Sequence, residues 1–150
     1  VVIGRICKDV PVERAQEAIF GFTVANDVTA DGDWGADDMI RAKGSDTFCP
    51  LGPWMVTHFS VAEAGNVRLR TTVDGTVCQE SSTSEMIRSV SELVSEISSR
   101  LTLLPGDVIL TGTPAGAATV VPRQQVEVEI EGIGTLVNSV VAGQNTVAEG

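Results

Sequence analysis

The sequence is short of positive charge. Ten Lys and Arg stand against twenty Asp and Glu, giving a net charge of −10 and a pI near 4.4. Nucleic-acid binders need a basic patch to displace counterions from phosphates, so this deficit excludes that class. It equally excludes docking on an anionic membrane surface. No apolar run approaches the ~20 residues of a membrane-spanning helix. Cysteine is sparse as well: Cys7, Cys49 and Cys78 are odd in number, widely spaced, and form no CxxC pair. Reduced thiols in a cytoplasmic setting are the expectation, each serving as a small hydrophobic filler. Several catalytic signatures are missing too. There is no P-loop, GxSxG elbow, HExxH or dinucleotide fingerprint, and Gly132-x-Gly134 lacks the third glycine such a fingerprint requires. His58 is the one histidine, so any Ser-His-Asp or Cys-His scheme would have to use it. Placed between Thr57 and Phe59 at a strand end, it reads as a solvated loop residue.

What is present is a core. Apolar residues make up 43% of 150 residues, which suits one domain of ordinary size. No repeat of 20–50 residues is visible. Val1 to Ile3 reads as the end of a buried strand, and Asp9 with Pro11 as the start of a helix running to Ile19 or Phe20. Phe22 to Ala25 and Trp54 to Thr57 read as strands. Asp74-Gly75 between Val67–Val73 and Val77–Gln79 is a hairpin signal, because both central residues of a type I′ turn need positive φ. Ser82 and Glu85 have capping-box spacing, and Met86, Ile87, Val90, Leu93, Val94, Ile97 and Leu101 follow at helical period. Val108 to Leu110 reads as a buried strand. Val126, Val128 and Ile130 alternate with Glu127, Glu129 and Glu131, the pattern of a strand with one wet face. Leu136 to Val141 reads as the last strand. No βαβ alternation appears. The expected fold is α+β, predominantly β, with two main helices, over residues 1–143, followed by a polar tail at 144–150. The chain opens on Val1 without an initiator Met, so an upstream segment, missing or processed away, is expected.

Acidic residues crowd the segment after residue 26. Asp27, Asp31, Asp33, Asp37 and Asp38 could serve a hard divalent cation, but the spacing fails the EF-hand pattern, and a solvated acidic loop is the plainer reading. Asp27 differs from the others because it follows a buried strand directly, where a side chain is held rigidly. Lys43 returns after the loop, ahead of Gly44-Ser45-Asp46-Thr47.

Five blocks give the chain a resemblance. These are Val1-Val2-Ile3-Gly4-Arg5 with Gly21 to Ala30; Arg41 to Trp54, which includes Thr47-Phe48-Cys49-Pro50-Leu51-Gly52-Pro53; Gln79 to Met86; Leu104 to Gly116, which includes Thr111-Gly112-Thr113-Pro114; and Ile130 to Asn138. In order and over nearly the whole chain they resemble the fumarylacetoacetate hydrolase family, as its C-terminal catalytic domain. The resemblance implies a mixed β-sheet roll, a homodimer, and a site for Mg²⁺ or Mn²⁺, with Ca²⁺ in some members. It implies action on small 2-oxo, β-diketo or enol acids by C–C hydrolysis, decarboxylation or isomerisation of hydroxy-diene diacids. A metal that chelates such an acid acts as a Lewis acid on the enolate that forms.

Residue by residue, Asp27 matches the family's metal-ligand aspartate and Lys43 the lysine beside the metal. Thr113, with Gly112, matches a substrate-contacting segment, and Lys43 and Thr113 are the expected catalytic residues. Thr47 matches a threonine near the metal. Two departures stand out. The family's Glu-x-Glu metal pair and its His/Glu lid would lie before Val1. The family's Arg-Asp-x-Gln is replaced by Asp31-Gly32-Asp33-Trp34. Glu127 and Glu129 repeat the Glu-x-Glu spacing in another block and read as a solvent face. The resemblance therefore leaves two readings: the catalytic domain of a metal-dependent enzyme, or an inactive remnant of the fold that serves as a binding or partner subunit.

Overall fold

A computed structural model describes residues 1–30, 32 and 39–143. The strand signals are largely realised. Val126 and Val128 are buried while Glu129 is exposed, so alternation places β6 (Gln125–Ile130) half in the core. Asp74 and Gly75 take φ of 48° and 79° and close a tight hairpin between β4 (Arg68–Val73) and β5 (Thr76–Ser82). With β7 (Gly134–Ser139) these strands form an antiparallel sheet in the order β5-β4-β6-β7. A second antiparallel sheet joins β1 (Val2–Ile3), β2 (Ile19–Ala25) and β3 (Leu51–Val56) in that order. One apolar cluster spans both sheets, with Ile3, Val24, Val56, Val73, Val126 and Leu136 among its members. Val90 and Val94 of α3 (Val90–Arg100) pack into it as well. Two short helices, α1 (Met39–Lys43) and α2 (Val61–Ala64), complete the described elements. No helix among the described residues is long and apolar enough to cross a membrane.

Several expectations change. The helix expected from Ser82 begins at Val90, because residues through Ser82 are taken up by β5, where Ser82 pairs with Arg68. The capping box that forms is Ser89 with Glu92, while Ser82 caps only a 3₁₀ turn over Thr83–Glu85. Ile87, expected on the packing face, is fully exposed. The segment after Pro11 is a 3₁₀ helix over Val12–Ala18 with no side-chain cap, and Ile19 and Phe20 already belong to β2.

Val108 to Leu110 forms an isolated bridge, Val108 to Val2, rather than a strand. That bridge matters for β1, because it gives the strand a partner on the side away from β2. Val2 pairs with Gly21 on one side, while the Ile3 N–H donates to the Asp107 carbonyl at 2.9 Å on the other. Both flanks are occupied, so edge exposure at β1 gives no reason for self-association. The acidic residues Asp31, Asp33, Asp37 and Asp38, Trp34, and the tail at 144–150 lie outside the described residues.

Candidate metal and substrate site

β2 carries its buried residue Val24 at the centre of the core and stops at Ala25. The chain then turns tightly. The Asn26 N–H donates to the Pro50 carbonyl at 3.1 Å and the Val28 N–H to the Asn26 carbonyl at 2.9 Å. Asn26 Nδ2 also reaches Asn138 Oδ1 of β7 at 3.2 Å, which ties the turn to the neighbouring sheet. Asp27 therefore projects from a backbone fixed on both sides.

Helix α1 returns Lys43 to this point. The Ala30 N–H donates to the carbonyl of Ala42 at 2.8 Å and docks the last turn of α1 on the turn after β2. Lys43 Nζ lies 2.6 Å from Asp27 Oδ2 and donates to Thr29 Oγ1 at 3.0 Å. Asp27 and Lys43, paired in the sequence reading only by resemblance, are thus in direct contact. Thr29 joins them and was not singled out, although it lies inside the quoted Gly21–Ala30 block. Thr47 is exposed and holds a left-handed φ of 70°, costly for a β-branched residue, and its side chain makes no hydrogen bond among the described residues.

Thr113 and Gly112 sit on an irregular segment past Ile109. Gln79 of β5 donates from Nε2 to Thr113 Oγ1 and to the Pro114 carbonyl, both at 2.8 Å. Gln79 itself is buried. No ion pair or hydrogen bond among the described residues links this segment to Asp27 or Lys43. The remaining candidates are accounted for on the surface. His58 is exposed and stands edge-on to Phe59, with ring centroids 4.9 Å apart. Glu129 pairs with Arg70 at 2.9 Å, and Glu127 accepts from Gln125 at 2.6 Å. The three cysteines are free, and burial pushes the Cys7 thiol up.

The donor set decides what cation chemistry these residues can support. Mg²⁺ demands near-octahedral oxygen coordination, and Ca²⁺ takes six to eight oxygens. Asp27 supplies one carboxylate, and its Oδ2 is engaged by Lys43. No three His, Cys, Asp or Glu side chains converge among the described residues. These residues alone do not fit a divalent-cation site, and ligands from outside them are required.

Comparison with known proteins gives a consistent picture. The model of the family described as "Fumarylacetoacetate (FAA) hydrolase C-terminal" matches residues 1–141. The solved structure of 5-carboxymethyl-2-hydroxymuconate delta-isomerase from Mycobacterium smegmatis is 51% identical, with a TM-score of 0.89, over 95% of this chain and 57% of that one. Maleylpyruvate hydrolase from Sphingobium sp. SYK-6, solved in complex with manganese(II) ion and pyruvate, is 30% identical with a TM-score of 0.85, over 95% of this chain and 52% of that one. The 4-hydroxyphenylacetate degradation bifunctional isomerase/decarboxylase of Salmonella dublin is 40% identical over 148 residues, covering 97% of this chain and 34% of that protein. The chain spans about half the length of the first curated relatives it matches.

Proposed function

This chain belongs to the fumarylacetoacetate hydrolase family, and on that premise we propose that its protein is an enzyme acting on small 2-oxo, β-diketo or enol acids. The reaction is one that passes through an enolate: C–C hydrolysis, decarboxylation, or isomerisation of a hydroxy-diene diacid. The observation that carries this reading is the contact of Lys43 with Asp27 and Thr29. An ammonium has three N–H donors and no acceptor. Two of those of Lys43 are taken by Asp27 and Thr29, and the third has no partner among the described residues and can meet an anionic oxygen. A fixed cation beside a developing enolate lowers its energy without reorganising at the moment of reaction.

In this reading Lys43 and Thr113 act on the substrate, Gly112 gives the Thr113 segment its left-handed turn (φ 109°), and Thr47 flanks the metal. The cofactor is a divalent cation, Mn²⁺ or Mg²⁺, for which Asp27 is one ligand. Its other ligands come from outside the described residues. The manganese and pyruvate bound to the Sphingobium hydrolase support both the metal and the substrate class. Residues 1–143 form one domain of a cytoplasmic homodimer.

The test is turnover of oxaloacetate and binding of pyruvate by the complete protein supplied with Mn²⁺. Turnover or saturable pyruvate binding supports the enzyme. Absence of both favours the inactive remnant, the reading that the altered Asp31-Gly32-Asp33-Trp34 sequence suggests.

A further inference from the structure

Gln79 is a buried amide on a strand of otherwise half-exposed character, and the fold goes to some length to place it. β5 pairs Gln79 with Thr71 and Val77 with Thr72, so Cys78 is an extra residue with no partner across the ladder. Such a bulge bends the strand and re-aims its side chains, and bulges recur beside functional sites. Here it accompanies a Gln79 side chain turned inward, toward the segment that carries Thr113.

That segment has little else to hold it. Among the described residues, the two bonds from Gln79 are the only hydrogen bonds that reach residues 110–120. Gly116, at φ 100°, lies so close to β5 that a Cβ there would strike the Cys78 carbonyl oxygen. The loop is thus laid against the bulge and fastened at one side chain.

The chemistry of the fastening fixes a direction. The Pro114 carbonyl can only accept, so the group facing it must be the Gln79 NH₂ rather than its oxygen. One hydrogen of that NH₂ goes to Pro114 and the other to Thr113 Oγ1. An amide nitrogen does not accept, so the Thr113 hydroxyl cannot return its own hydrogen to Gln79. We infer that Gln79 is a positioning residue that holds the Thr113 loop and commits the exposed Thr113 hydroxyl to donate outward, so that the group bound there is an acceptor such as a substrate carboxylate. This rests on the reading of Thr113 as a substrate contact.

The experiment measures pyruvate affinity, and KM and kcat for oxaloacetate, on the complete protein with Mn²⁺. The variants are Gln79→Met, Gln79→Glu, Thr113→Val and the double variant Gln79→Met/Thr113→Val. Loss of a hydrogen bond to a charged group predicts weaker pyruvate binding by about tenfold or more in Gln79→Met, with the loss in KM rather than kcat. Gln79→Glu, whose carboxylate draws the Thr113 hydrogen back, is expected to lose at least as much. In the Thr113→Val background Gln79→Met should cost nothing further, because Gln79 acts through that hydroxyl. A merely structural Gln79 would instead give additive losses in the cycle.

Additive losses, or wild-type affinity in a folded Gln79→Met, overturn the inference while Thr113→Val still shows its own loss. If Thr113→Val leaves pyruvate affinity unchanged, or the wild type binds no pyruvate, the reading of Thr113 fails first and the inference falls with it. Should Gln79→Glu fail to fold, Gln79→Met and the cycle decide alone.

Discussion

Lys43 Nζ rests 2.6 Å from Asp27 Oδ2 across the mouth of the turn that ends β2. Their side chains are 32% and 42% exposed, and a pair so open to water contributes only about 0–1 kcal/mol to stability. Stability is therefore a weak reason for this contact, which three backbone hydrogen bonds and α1 hold in place.

Lys43→Met tests that separation. Removing one preorganised donor to a developing oxyanion costs roughly 10²–10³-fold in kcat in enzymes that use one. We expect a drop of that size in oxaloacetate turnover, while the urea midpoint changes by less than about 1 kcal/mol equivalent. Unfolding curves and turnover measured on the same preparation check both halves. A variant that loses stability and keeps kcat would make Lys43 structural.

How α3 begins can be tested by two serines. Ser89→Ala removes the side chain that accepts from the Glu92 N–H, and an N-cap loss costs about 1 kcal/mol. Ser82→Ala, at the spacing that first suggests the cap, breaks, among the described residues, only bonds to Ser84 in a 3₁₀ turn and should cost less. The order of the two urea midpoints settles where the helix starts.

The same cap gives an acid dependence. Glu92 accepts from the Ser89 N–H and then from its hydroxyl, which holds its carboxyl below its ordinary value of 4.5. A depressed carboxyl contributes its stability above the unfolded value and loses it as pH falls through the lower folded one. The gap in urea midpoint between wild type and Glu92→Gln should therefore be widest at neutral pH and close as pH drops below about 4.5. A gap that stays constant from pH 7 to pH 3 would contradict it.

Local patterns were readable and long-range ones were not. The valine–glutamate alternation of β6 and the Asp74-Gly75 turn follow from side-chain period and positive φ, both local properties. The Ser82–Glu85 spacing suggests the start of α3, but β4 draws residues through Ser82 into a ladder, and the helix is capped seven residues later at Ser89. The flanking of β1 by residues 107–109 is likewise a distant contact with no periodic signal. Asp27 stands out by its place directly after a buried strand and Lys43 by its return after the loop, Thr113 is named through resemblance alone, and geometry joins the first two. Gln79 is quoted only at the edge of a strand and of a block, and its role is not legible there because that role lies in a partner on another segment. A polar residue on the inward face of a strand was the available clue.

The most direct measurement is a Mn²⁺ titration of the complete protein followed by electron paramagnetic resonance, wild type against Asp27→Asn. Saturable binding is expected in the wild type and, in the variant, affinity weakened by at least about tenfold, in line with the 10–100-fold cost of disturbing even a supporting partner of a metal site, with the fold intact by circular dichroism. Equal affinity in the two proteins would show that the carboxylate at the end of β2 holds no metal, and the assignment of this site would be wrong.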